Sequence, residues 1–580
     1  MSRFRFVALL VPLLAVTSIS AVGCESEEPA QTKFESSDVT DTNGPTVAKG
    51  AASEVWSADN AWADTATVAA KKAGLAWEEN SGLNWEEKFG RWVGGLEPID
   101  TDHGKTFRLT TPHGNKTLPA PTLECAEVAY FLRATFASWY HLPFFMKGWD
   151  SAAKKPVFAG HFGFVYADGA IAKTFPGFKN AYKDYEKTWK AGDAWPTDTK
   201  LQGRHLGDDD RLIFEIEGVD DPGAGAYFDQ VFLNKRTGHF MRLLLLYFGS
   251  ANLADAANMF HVQADSTDAG DVLVERWQKR GIGHTLPVLR VESPLEGKLA
   301  ITLISGSMPR RIPRWDEPLS GRRYFTLDET GGRGEASDGT PFAELGGGIR
   351  RWRTAVLSGG RWKNVVIATD KAAAIENSDL ESIAARPERF DEILISGTVE
   401  EQVATIQNRL EQSREHLHNS PASCSARTSR EVAFDELRAL APQLGKTADQ
   451  VEAENRTLED YVFGELEYTA SKSCCWNTTT PKMAEIVLDY ARAEQDQAKA
   501  DGVCVEPTVF KSRTDGYALW QAHATTLGLG SEWKNWSEDE PCEQRIVAED
   551  TAAAFDGTLF CALPTADDAT PDGTEENTDT

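Results

Sequence analysis

Positive charge is scarce in this sequence: 60 Lys and Arg stand against 88 Asp and Glu, a formal net charge of -28 over 580 residues. A surface that acidic repels phosphate backbones and anionic lipid heads, which argues against nucleic acid as a partner. Past the first two dozen residues there is no apolar run long enough to cross ~30 Å of hydrocarbon. No internal repeat is present, and the glycines at 346–348 lack the lysine of a phosphate loop. Cysteine is also sparse, at 8 residues. Tryptophan is not: of 17, Trp56, Trp62, Trp77, Trp85 and Trp92 fall early, and core packing is a better account of them than a sugar-stacking platform.

The first residues read as an export signal. Arg3 and Arg5 form a basic start, Phe6 to Ala15 an apolar stretch, and small residues lead to Ala21-Val22-Gly23-Cys24. This ending resembles a bacterial lipobox, although Ala21 stands where that pattern usually has leucine. The resemblance implies cleavage before Cys24 and lipid on its sulfur, so that 1–23 is a signal peptide and the membrane is reached through acyl chains. Anchoring would place the chain in the bacterial envelope, on the periplasmic face or at the cell surface.

Once Cys24 is set aside, seven cysteines remain, an odd number. Cys424, Cys474, Cys475, Cys504, Cys542 and Cys561 lie late in the chain, enough for three disulfides in an oxidising compartment. Cys125 stands alone and is expected to be a free thiol.

Composition divides the mature chain. Residues 24–50 are polar and poor in large apolar groups, the make-up of a disordered tether. Residues 51–370 mix strand and helix patterns, with neighbouring strands expected at 288–291 and 299–304 and helices over 227–248 and 251–260. Residues 371–562 turn mostly helical, with helices expected over 400–417, 429–440, 448–467 and 481–500. Residues 563–580 form an acidic, disordered tail.

The chemistry concentrates in two places. Pro119 and Pro121 keep the approach to Cys125 extended, Thr122 is a natural N-cap, and Val128, Ala129, Phe131, Leu132 and Phe136 give the next helix a broad apolar face. Cys125 then sits in the first turn, where free N–H groups and the helix dipole favour a thiolate and can hold an oxyanion. Downstream, Gly270-Asp271-Val272 precedes Gly283-His284, which opens a strand. A histidine there can present its ring to a thiol as general base. His416-x-His418 reads as a solvated helix end, Asp208-Asp209-Asp210 as a turn, and His141, His161 and His261 as packing or surface residues. No metal ligand set or cofactor motif is found.

This order of Cys125-Ala126 helix, helical pair, Gly270-Asp271-Val272, Gly283-His284 strand and Gly306-Ser307-Met308-Pro309 resembles the papain-like cell-wall peptidases of the NlpC class. It resembles still more a related bacterial domain family of unknown function. The similarity spans about residues 85–320. It implies an α+β papain-like fold, followed here by a mostly helical disulfide-bonded domain. It also implies Cys125 as nucleophile, His284 as base and Ser305 in the slot that orients the ring, where the family has His, Asn, Gln or, in the related domains, Gln. Ser307 and Glu292 are alternatives for that slot. Transglutaminase-like enzymes carry Asp on the strand after the histidine; no Asp lies between His284 and Asp316, which argues against that class. The expected function is thiol hydrolysis of an amide or peptide bond, as a cysteine peptidase or amidase acting on cell-wall peptide or glycan, with peptidoglycan stems the substrate suggested by location. The competing expectations are a non-catalytic envelope scaffold with a degenerate papain-like fold and a carbohydrate-binding lipoprotein.

Overall fold

The computed structural model describes residues 42–58, 83–102, 104–113, 116–279, 283–336, 338–464, 466–468, 479–504, 507–510, 516–534 and 547–552. Cys24, Trp62, Trp77, Cys474, Cys475, Cys542 and Cys561 lie outside these residues, as does the side chain of Cys424, so the proposed lipid site and the disulfide pairing are not reached by the structure, although Cys504, which is described, is disulfide-bonded.

An antiparallel sheet of seven strands organises the α+β part. Its strands are β1 (Met259–Val262), β2 (Val272–Arg276), β3 (Gly283–Leu295), β4 (Lys298–Ser305), β5 (Arg314–Asp316), β6 (Gly348–Trp352) and β7 (Ala374–Ile375), in the spatial order β5-β4-β3-β2-β6-β1-β7. Strands 288–291 and 299–304 are therefore paired as expected, within a longer β3–β4 hairpin. Each strand's alternation feeds two cores. Val272, Val274, Leu289 and Ile304 join one, while Leu273, Leu286, Val288, Ile301 and Leu303 join the other. A sheet covered on both faces explains why every residue of β2 is buried and why its apolar run does not alternate with polar residues.

The first core is capped by α1 (Trp85–Gly94), α2 (Cys125–Trp139), α3 (Ala224–Val231) and α4 (Lys235–Tyr247). Residues 126–139 of α2 are all buried, the mark of a helix enclosed on every side. Each fully buried side chain such as Phe131 or Leu132 contributes about 1.5–3 kcal/mol relative to exposure. Trp56, Trp85 and Trp92 are 1%, 1% and 2% exposed, so these three are packing residues and present no face to a sugar. The expected helix over 251–260 is cut short: a single turn at Ser250–Leu253 gives way to β1, because Met259, Phe260 and Val262 are taken up by the sheet.

The second core is covered by α5 (Pro318–Thr326) and α6 (Arg386–Ile393), through Phe325, Phe390 and Ile393. The α+β unit thus runs past residue 370, through β7 and α6. It also recruits chain from the expected tether: Thr42–Asn43 pairs with the strand Arg361–Val365. Beyond it come α7 (Val399–Asn419), α8 (Cys424–Leu440) and α9 (Pro481–Ala500), close to the expected spans. The span 448–467 is not one helix. It breaks into Ala448–Asn455 and Leu458–Val462, where Thr457 restarts the helix and Asp460 accepts from its N–H at 2.9 Å. Among the described residues, no helix is long and apolar enough to cross a membrane.

Candidate functional site

The start of α2 is wedged into the sheet where β3 and β4 part. Glu124, not Thr122, is the N-cap: Thr122 spends its hydroxyl on the Arg211 carbonyl at 2.7 Å. Leu123 and Arg311 exchange backbone hydrogen bonds of 2.8 and 3.3 Å. A Cβ on Gly306 would stand 2.5 Å from the Leu123 carbonyl oxygen, so the Gly306-Ser307-Met308-Pro309 turn needs glycine to lie against this helix start. Arg310 closes the wedge, reaching Glu124 at 3.0 Å, Glu127 at 2.8 Å and Asp209 at 2.8 Å. Burial pushes the Glu127 carboxyl up to about 7, with Arg310 opposing the rise.

Asp271 of the Gly-Asp-Val segment has a structural task. Its two oxygens accept from Arg351 at 2.7 and 2.9 Å, and Gly270, at φ 91°, leaves room for the Phe89 ring. His161 and His261 are buried packing residues, as expected, and the carbonyls of Gly346 and Gly347 accept from Arg350 and Arg386. Asp210 is wholly buried and accepts from the N–H groups of Leu206 and Ala224, consistent with a turn rather than a cation site. Among the described residues, no group of three or more His, Cys, Asp or Glu is placed to hold a metal.

Cys125, His284 and Ser305, far apart in sequence, meet at this end of the sheet. They do not form a catalytic relay there. Cys125, a free thiol, donates to the Gly283 carbonyl at 3.8 Å. Burial pushes its thiol up, opposed by the hydroxyl and N–H of Thr285. The strand's period explains the pairing. Thr285 shares the face of Leu289 and α2, whereas His284 shares the face of Leu286 and Val288. The His284 ring accordingly packs by Tyr324 of α5, with centroids 5.9 Å apart. No hydrogen bond joins it to the sulfur. Burial, then Arg311, push the imidazole down to about 4, so it is neutral at pH 7.

Ser305 sits two residues beyond Leu303 on this second face, but its hydroxyl donates to Asp316 at 3.0 Å and accepts from Arg311 at 3.0 Å, not from the imidazole. Asp316 escaped the sequence reading because it lies beyond the strand that follows His284. The β4–β5 pairing, with Leu303 opposite Asp316, folds it back into electrostatic reach of the ring. Arg310 and Arg311 were missed as well; their signal was their position directly after the Ser307-Met308-Pro309 turn. Glu292 and Ser307 take no part: Glu292 is exposed further along β3, and Ser307 donates to the Pro309 carbonyl at 2.8 Å.

Two contiguous sites result, the first largely buried and the second half-buried. One is the thiol notch of Cys125, Gly283 and Thr285. The other is a polar patch of His284, Tyr324, Arg311 and Asp316 on the opposite face. Compared with known proteins, the chain matches no family model, no curated protein and no solved structure.

Proposed function

We propose that this chain is a lipid-anchored envelope protein whose sheet-end site works by binding, on a plan derived from papain-like thiol hydrolases but without thiol chemistry. The observation that carries this reading is the disposition of its two key side chains: the Cys125 thiol is bonded to the Gly283 carbonyl while the His284 ring faces Tyr324. A thiol hydrolase needs the imidazole within about 2.6–3.2 Å of the proton donor, or one water away. It also needs a thiolate, and burial favours the neutral thiol here. The lipobox-like Cys24, the late cysteines and the acidic surface suit an exported body held off a membrane.

Hydrolysis of an amide or peptide bond is the second reading, favoured by the convergence of Cys125, His284, Ser305 and Asp316 on one sheet end. Catalytic hydrogen bonds often tighten only when substrate binds. Alkylation by iodoacetamide separates the two. For a binding protein, the Cys125 rate rises about tenfold per pH unit from pH 6 to 8, following the small thiolate fraction, and His284→Ala leaves it unchanged. A rate already high at pH 6 and slowed by His284→Ala would overturn the proposal in favour of the hydrolase.

A further inference from the structure

The second face of the sheet end carries charges of both signs that have not paired with one another. Arg311 precedes β5, Asp316 ends it, Arg323 lies on α5 and Glu275 lies opposite His284 on β2. They border His284 and Tyr324, and Glu436 of α8 also acts on Arg323. Tyr324 accepts from Arg323 at 2.9 Å and senses Arg323, Asp316 and Glu275; His284 senses Arg311, Asp316 and Arg323. Yet among the described residues none of the four makes an ion pair within 4.0 Å, whereas pairs of that length are frequent elsewhere in the molecule. Arg311 and Arg323 each also keep a buried Nε–H without an acceptor.

Arg311, Asp316 and Arg323 are half-buried and Glu275 is buried; such charges of opposite sign normally close on each other, because an unpaired charge loses hydration without compensation. Here the framework holds them apart. Arg311 is fixed by its backbone bridge to Leu123 and its bond to Ser305; Asp316 is fixed by β5 and by Ser305; Arg323 is fixed by Tyr324 and by Ser429 of α8 at 3.1 Å. Glu275 is held by the β2–β3 ladder. Two guanidiniums and two carboxylates, rigidly spaced around a neutral imidazole and a phenol, form a receptor for a group that itself carries both charges.

We propose that this face binds a small zwitterion: an amino acid, or a peptide residue bearing both an ammonium and a carboxylate. The carboxylate meets Arg311 and Arg323, and the ammonium meets Glu275 and Asp316. The inference rests on the reading of the sheet end as a binding site and supplies the chemistry of its ligand.

The test uses the soluble chain lacking residues 1–23, with Cys125→Ala introduced so that thiol reactivity plays no part. The probes are alanine and alanyl-alanine, each compared by calorimetry with its N-acetylated and its C-amidated form. At least one zwitterionic probe binds, and removing either charge weakens it roughly tenfold or more, the worth of one charge-assisted hydrogen bond. Preference for alanyl-alanine would point to a peptide source and preference for alanine to a free amino acid. Arg323→Gln, which leaves Arg311, should shrink the discrimination against the amide severalfold while keeping that against the acetyl form, and Glu275→Gln, which leaves Asp316, should do the reverse. These paired variants separate ligand contact from loss of fold, which would abolish both discriminations at once. Failure of both zwitterions to bind at millimolar concentration, or equal binding of the blocked forms, overturns the inference. Fast alkylation of Cys125 at pH 6 in the unsubstituted protein would overturn the binding-only reading while leaving this one standing.

Discussion

Substituting Arg133 gives a sharp test of how α2, and with it the thiol notch, is held. Arg133 lies in mid-helix with a side chain 2% exposed, and its two terminal nitrogens donate to the two oxygens of Glu86, itself 8% exposed, at 2.7 Å each. Its guanidinium also stacks over Trp85 at 3.7 Å from the ring centroid. Arg133→Met keeps much of the volume but leaves the Glu86 carboxylate enclosed, with the Thr354 hydroxyl its one remaining donor among the described residues. Breaking one side of a buried pair in this way costs about 3–5 kcal/mol, because an uncompensated charge stays behind. For a domain of this size each kcal/mol lowers Tm by about 2–4 °C, so the transition of the α+β unit should fall by roughly 10 °C in calorimetry. The double variant Glu86→Leu/Arg133→Met removes the stranded charge and should recover most of the loss. It should remain short of wild type by about 1 kcal/mol, since Thr354 loses its acceptor. An Arg133→Met protein within 1 kcal/mol of wild type, or a double variant no better than the single, would refute the argument that this ion pair is a buried, mutually dependent unit.

Acid sensitivity should set in well above the carboxylate range. Burial pushes His161, His284 and His416 down to about 4, and His261 well below its usual value, against about 6.5 in an unfolded chain; His416 is thus turned into the protein, and only His418 of that pair is the solvated helix end expected from sequence. A depressed histidine gives stability that is complete above pH 6.5 and is lost as pH falls toward 4, because the unfolded chain takes up the proton first. For His161, 4% exposed, the loss is at most about 3 kcal/mol. Urea unfolding at pH 7 and pH 4.5 should show it, and His161→Gln should flatten the difference; an unchanged difference would remove His161 as a contributor. In a bacterial host, Cys24→Ser should abolish acyl labelling and release the chain from the membrane fraction, whereas an unmutated protein that is soluble after export would refute the lipid anchor.

Local pattern carried a good part of this molecule. The apolar runs around Val288 and Ile301 needed only their length and β-branched content to be recognised as paired strands. The approach through Pro119 and Pro121 placed Cys125 at a helix start, and the helical pattern expected over 400–417 and 481–500 matches the observed Val399–Asn419 and Pro481–Ala500 nearly to the residue. Those features depend on neighbours within a few positions. What failed depended on distant partners. Thr122 has the chemistry of an N-cap, but the Arg211 carbonyl competes for its hydroxyl. Residues 256–260 could extend a helix, but the sheet takes Met259 and Phe260.

The sequence by itself determined that a lone cysteine would open a buried helix and that a Gly-His strand would lie near it. Only the tertiary structure decided which face of that strand each side chain occupies. Because strand side chains alternate, a shift of one residue is the whole difference between Thr285 and His284 beside the sulfur. Pairing of β4 with β5, invisible to any local pattern, brought Asp316 back beside Ser305 and left two arginines and two carboxylates facing each other unpaired. Spacing along the chain can place reactive residues at one end of a sheet, but strand register and the approach of α5 set the geometry between them.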